Sequence, residues 1–228
     1  FSCIAALLAA IVPVAGAQEF PAKPVKIIVP WVAGGSTDSV GRIIANRLSE
    51  TLGQQFVVDN RPGATGTIGH GIAAKSPADG YTLLLGSNST FSIAPHLYKN
   101  LPYDNDNAFA PISLVAVSPQ ILALHPSVPA RDLKGFIALA KSRPGEIVYS
   151  TAGAGATSHL ATELFMMMTG TKMVHVPYKG GGPSAQALLA GETMMSFVDV
   201  ITCLTFAKTG RMRPVAVGTA KRTPMMPD

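Results

Sequence analysis

Residues 25–38 read VKIIVPWVAGGSTD: an almost unbroken apolar, β-branched run, then a glycine pair, then Ser36-Thr37-Asp38. A continuous apolar run of this length, with no polar alternation, fits a strand buried on both faces, here Val25–Trp31. Beyond the turn, Val40, Ile43, Ile44, Leu48 and Leu52 recur at three- and four-residue spacing and Gly53 follows, so Thr37–Leu52 is expected to be an amphipathic helix. A buried strand, a glycine turn and a helix make the first unit of an α/β fold.

The same alternation extends outward. Phe56–Asp59 and Thr82–Leu85 read as strands around a short helix at Thr67–Lys75. Two apolar runs, Ile112–Val117 and Ile121–Leu124, are broken at Ser118-Pro119. Leu133–Ser142 is helical and Ile147–Ser150 a strand. Ser158–Thr169 is a helix with Leu160, Ala161, Leu164, Phe165 and Met168 on one stripe, stopped by Gly170. Val174–Tyr178, Met195–Val198 and Val215–Val217 read as strands separated by helices at Ala185–Ala190 and Thr202–Thr209. The order argues for a mostly parallel α/β architecture. Met166–Met168 reads as core filler, and the polar, proline-flanked stretch Leu101–Pro111 as a crossing between two lobes.

Composition narrows the function classes. Of 228 residues, 47% are hydrophobic and 14% charged, which excludes disorder and coiled coil. The net charge of +5 is spread thinly, and aromatics are 7%, so no nucleic-acid footprint is formed; a small anion is the better match. Two cysteines, Cys3 and Cys203, exclude a disulfide scaffold and a multi-cysteine zinc site, and the five histidines, without ligand spacing, read as surface or loop residues.

Ile4–Ala17 (IAALLAAIVPVAGA) is apolar and uncharged, shorter than the ~20 residues of a membrane span, and ends in the small-x-small pattern Ala15-Gly16-Ala17. Residues 1–17 are therefore expected to be a signal peptide, clipped at its start and cleaved before Gln18, which places the mature protein in the periplasm. Pro13 argues against a buried N-terminal helix instead.

Four Gly/Ser/Thr turns lie at strand ends: Gly34–Asp38, Gly86–Thr90, Gly153–Ser158 and Lys179–Ser184. In a parallel α/β sheet such turns gather at the carboxyl ends of the strands, where ligands bind. Glycine admits close backbone approach, helix N-termini offer unpartnered N–H groups with partial positive charge, and hydroxyls add donors, so together they suit an anion without a salt bridge. Asp38 reads as a residue complementing the helix dipole; Asp199 is either a turn residue or an acceptor in a cleft. The nucleotide motifs are incomplete: Gly153-Ala154-Gly155-x-x-Ser158 lacks the third glycine and the ribose-binding acid, and no Gly-Lys-Ser/Thr follows Lys179–Gly182. No Gly-x-Ser-x-Gly elbow and no paired carboxylates mark a catalyst.

The chain resembles the periplasmic solute receptors of the tripartite tricarboxylate transporter, the Bug/TctC type. The similarity runs through nearly all of residues 20–228, carried by Pro24–Pro30, Gly34–Asp38, Val58–Ala64, Pro77–Leu83, Leu97–Asp104, Thr157–Ala161 and His175–Gly180. It implies a two-lobed periplasmic binding protein of type II-like α/β fold, with residues 18–103 in the first lobe, 104–219 in the second, and 220–228 starting the return to the first. It also implies that the first lobe is incomplete because the chain stops short of the family's C-terminus, leaving apolar faces of Val25–Trp31 and Thr37–Leu52 uncovered. The implied function is capture of a small carboxylate, without cofactor or catalysis, for delivery to the membrane permease subunits, by a receptor monomeric at full length and not binding nucleic acid. Carried over by position, the ligand-binding candidates are Gly34, Gly35, Thr37, Asp38, Ser87, Ser89, Thr157, Ser158 and Asp199. Arg61 and Pro62-Gly63 match a motif read as structural. Trp31-Val32-Ala33 departs from an aromatic followed by two prolines, Ala108 from a frequent acid, and Val200–Cys203 from a more polar turn, so ligand identity stays open. The rival class is a small-molecule enzyme with a nucleotide or phosphate cofactor on a doubly wound sheet.

Overall fold

The structure, a computed structural model, describes residues 19–226. The expected signal peptide and its cleavage point before Gln18 lie outside the described residues. Two sheets organise the chain. The first contains β1 (Val25–Val29), β2 (Phe56–Asn60) and β3 (Thr82–Leu84), all parallel in the order β2-β1-β3. Helices α1 (Ser36–Leu52), α2 (Thr67–Ala74) and α3 (Ala94–Leu97) accompany it. The apolar run that opens the domain is the central strand, and Val25, Ile27 and Val29 pack with Ala45 and Phe56 on one face while Ile28 is buried on the other.

The second sheet contains β4 (Gln120–Leu124), β5 (Val148–Thr151), β6 (Val174–Pro177), β7 (Met195–Asp199) and β8 (Arg213–Val217) in the order β6-β5-β7-β4-β8. Helices α4 (Leu133–Ser142), α5 (Thr157–Thr169), α6 (Gly181–Ala190) and α7 (Val200–Ala207) cover both faces. Alternation along β4 sorts the two cores: Leu122 and Leu124 face Phe136 and Tyr149, whereas Ile121 and Ala123 face Leu188 and Cys203.

Several expectations are corrected. The pairing is mostly parallel as expected, with one exception: β4 runs antiparallel to both β7 and β8, so the second sheet is mixed. Between α3 and β4 a passage without strand or helix runs from Tyr98 to Pro119, longer than Leu101–Pro111, and Ile112, Leu114 and Val117 within it are about 80% exposed (81%, 80% and 80%). On α5 the buried face is rotated: Ala161, Phe165 and Met166 pack on the core, while Leu164, Met167 and Met168 are exposed. Of the methionine run, therefore, one residue fills the core. His70, expected at the surface, is fully buried among Phe91, Tyr103 and Phe109. Ile43 on α1 and Val57 on β2 are exposed. Thr223 is buried and Met226 packs against the core of the second sheet.

Candidate functional site

The turns at the strand ends meet between the two sheets. Thr157 N–H on α5 donates to Ser89 Oγ at 3.1 Å, and the Ser89 and Thr157 hydroxyls lie 3.0 Å apart. Thr65 Oγ1 donates to Ala154 O at 2.8 Å. Gly34–Gly35 and Gly180–Gly182 face each other backbone to backbone: a Cβ on Gly182 would stand 3.6 Å from Gly34 O, and one on Gly180 only 2.8 Å from Val32 Cγ2. Gly180 also has φ 113°, open to glycine alone in practice. Gly180 N–H donates to Ala152 O at 3.0 Å, which ties the two second-lobe turns together.

Side-chain capping differs from helix to helix. Helices α4 and α7 are closed by aspartates: Asp132 accepts from Gly135 N–H at 2.7 Å, and Asp199 accepts from Thr202 N–H at 3.0 Å. Helices α1, α5 and α6 begin after Gly35, Ala156 and Gly180, which offer no side-chain cap. The three helix N-termini directed at the junction thus keep amides and partial positive charge free of their own caps, and Ser89 reaches across from the opposite lobe to satisfy one of them.

The candidate residues divide by what they touch. Asp38 is 3% exposed, and its carboxylate accepts from Gly34 N–H at 2.9 Å, Arg42 Nε at 3.0 Å and Asn60 Nδ2 at 3.0 Å. Burial works to raise its pKa, but the bonds from Arg42, Gly34 and Asn60 outweigh it and hold the carboxyl below its ordinary value. Asp38 clasps the turn rather than simply complementing a dipole. Ser158 Oγ accepts from Ala152 N–H at 3.0 Å and is buried, bracing its own turn. Ser87 Oγ lies 3.3 Å from Thr90 Oγ1. Asp199 also accepts from Thr202 Oγ1 at 2.9 Å, which makes both carboxylate oxygens part of the α7 cap. Thr37, in the first turn of α1, is half-buried beside the uncapped end. Arg61 pairs with Asp59 at 2.9 Å, a structural contact.

Reading by motif missed Asn60, which also donates to Trp31 O at 3.0 Å and so fixes the segment leading into the glycine pair. It missed Thr65 too, a β-branched residue at φ 55° whose hydroxyl also lies 3.1 Å from Tyr98 OH. Neither carries a signal in isolation, since Asn60 sits in a strand end and positive φ has no mark in a threonine. Two surface hollows, of about 500 Å³ around Pro126–Arg131 and Arg213 and about 460 Å³ around Glu163 and Met173, lie away from the turns. The first is walled by Arg213, whose guanidinium is spent on Pro126 O, Val128 O and Ala130 O. Among the described residues no group of His, Cys, Asp and Glu could hold a metal, and no helix is long and apolar enough to cross a membrane.

Two α/β lobes meeting through glycine turns and bare helix N-termini define a solute-binding protein of the periplasmic type. Residues 40–228 match the family described as the tripartite tricarboxylate transporter family receptor, TctC, and the chain belongs to that family. It is 38% identical to protein BugT of Bordetella pertussis over 212 residues, 92% of this chain and 65% of BugT. A structure of Rpa4515 of R. palustris with adipate superposes with a TM-score of 0.87 at 38% identity, covering 90% of this chain and 68% of that one. MatC of Rhodopseudomonas palustris with bound malate gives 0.84 at 29%, covering 91% and 71%. The chain spans 65% and 62% of the length of two curated relatives, BugT and a protein of Pseudomonas sp. strain P51.

Proposed function

We propose that the protein is an exported receptor that captures a small carboxylate between its lobes and presents it to the permease subunits of a tripartite tricarboxylate-type transporter. The observation that carries this reading is the set of bare helix N-termini at the junction. Helices α1, α5 and α6 bring N-termini without side-chain caps to it, while α7, which starts at the same edge of the second sheet, is closed by Asp199. Oriented amides of this kind bind a carboxylate without an arginine, and none of the four turns contains one. Adipate and malate, bound by the relatives Rpa4515 and MatC, are apt first ligands.

In this reading Gly35 and Thr37 contribute donors from the first lobe, Gly34 lets the backbone come close to the solute, and the Thr157 hydroxyl faces it from the second. Ser87 and Ser89 line the facing turn, while Asp38, Ser158 and Asp199 hold turns in shape. Titration calorimetry of the full-length receptor with mono-, di- and tricarboxylates tests the class. Thr37→Ala removes one donor to a charged group and is expected to weaken binding by about 1.5–3 kcal/mol, roughly one to two decades. Binding of nucleotides in place of carboxylates, or collapse in Arg61→Ala with Thr37→Ala unchanged, overturns the assignment. Residues 1–17 are proposed to be removed on export, and a mature N-terminus at Gln18 checks this.

A further inference from the structure

The turn Gly153–Ser158 is gripped from two sides. In front, Thr65 donates to Ala154 O across the lobes. Behind, Gly155 N–H donates to His159 Nδ1 at 3.1 Å. That bond requires Nδ1 to be unprotonated, so the neutral ring carries its proton on Nε2, which lies 3.6 Å from Glu163 Oε1 on the same helix. The His159 ring stacks on His175 of β6, with centroids 4.2 Å apart and planes at 16°. His175 Nε2 is 2.6 Å from Thr151 Oγ1, and that hydroxyl in turn touches Gly153.

We infer that His159 and His175 are positioning residues that hold the Gly153–Ser158 turn in its interlobe geometry when both rings are neutral, so that acid loosens the turn and weakens solute capture. The inference rests on the receptor reading above. Protonating His159 at Nδ1 sets an N–H against the Gly155 N–H and breaks the bond; two charged rings at this spacing repel. The groups facing the pair are Glu163 from α5, which favours a charged ring, and Tyr149 from β5, stacked on His175 and donating to Glu163 at 2.7 Å. Desolvation and the neighbouring His159 ring hold His175 below its usual pKa, with Glu163 opposing. His175 thus gains a proton more readily once freed from this packing, and falling pH favours loosening of the turn.

The test has one arm without solute. In imidazole and amide NMR of the full-length receptor, His159 is expected as the Nε2–H tautomer at neutral pH, with the Gly155 amide moving as the histidines titrate. His159→Asn puts an amide oxygen where Nδ1 stood and cannot titrate, so the Gly155 amide should then stay still. In the second arm, affinity for adipate should fall roughly tenfold from about pH 7.5 to about 5.5 in the native receptor beyond the change in His159→Asn. His159→Gln, whose amide sits at the Nε2 position, should weaken binding at every pH. An Nδ1–H tautomer, or a Gly155 amide indifferent to the titration, overturns the inference whether or not adipate binds. Parallel affinity profiles for the native and His159→Asn receptors overturn it while leaving carboxylate binding intact. Absence of carboxylate binding with the expected NMR response overturns the receptor reading and the link to capture, not the turn's histidine support.

Discussion

Replacing Asp38 with asparagine isolates the clasp of the first turn. Three donors converge on the carboxylate: Gly34 N–H, Arg42 Nε and Asn60 Nδ2, at 2.9, 3.0 and 3.0 Å. An amide presents one oxygen and one NH₂, so whichever way it turns, a donor meets a donor. Asn60 cannot flip to relieve this, because its Nδ2 also donates to Trp31 O and its Oδ1 accepts from Arg42. A buried donor left unpaired costs about 1–3 kcal/mol, and turning a charge-assisted bond into a neutral one costs about 1 kcal/mol more. The Arg42 ion pair adds little, since that side chain is 53% exposed. The expected total is about 2–4 kcal/mol, a melting temperature lower by roughly 5–15 °C for a chain of this size. Thermal melts of the full-length receptor read the stability loss, and titration with adipate reads affinity in the folded fraction. An unchanged melting temperature with affinity lost would refute the clasp and make Asp38 a direct contact to the solute.

Gly180→Ala should weaken solute binding, because its Cβ meets Val32 Cγ2 at 2.8 Å when the lobes are together, and at φ 113° it should also lower the melting temperature of the second lobe; an unchanged affinity contradicts the facing of these turns. Cys203 is fully buried, and burial together with Asp199 pushes its thiol up to about 12, so alkylation at neutral pH should be absent in the native protein and rapid in denaturant. His70 is lowered to about 4, chiefly by burial and against the bond to Gly66 O. The unfolded chain therefore binds the extra proton first, and stability should be full above about pH 6.5 and decline from there towards pH 4; a melting temperature flat between about pH 7 and 5 contradicts a neutral, buried His70.

The fold was legible where one physical signal dominated. The run Val25–Val29 needed burial on both faces, and glycines 53 and 170 closed their helices as expected, both in the left-handed conformation, as did Gly191. The antiparallel placement of β4 was not legible, because Gln120–Leu124 has the same apolar character whichever way its neighbours run. The face of α5 was misplaced because Leu164 and Met168 have the spacing of a core stripe, yet the buried Ser158 and Thr162 mark the opposite side, pinned by hydroxyl bonds to Ala152 and Ser158. At the site, the glycine turns were visible as composition. Their partners were not: Ser89 with Thr157 and Thr65 with Ala154 are separated by 68 and 89 residues and share no local pattern. Asp38 and Asp199 show the limit of residue type as a guide, since an acid beside a helix start looks alike whether it faces a solute or its own backbone.

The reach of Ser89 across to the Thr157 amide has an energetic consequence. When the lobes separate, that amide and hydroxyl return to water, so closing exchanges one set of hydrogen bonds for another of similar worth. This contact therefore favours neither the open nor the closed form strongly. A solute with even a few kcal/mol of preference for the closed form then tips the balance almost completely, and its departure lets the receptor reopen without a large barrier of its own making. Such near-neutrality suits a carrier that must release its cargo as readily as it collects it.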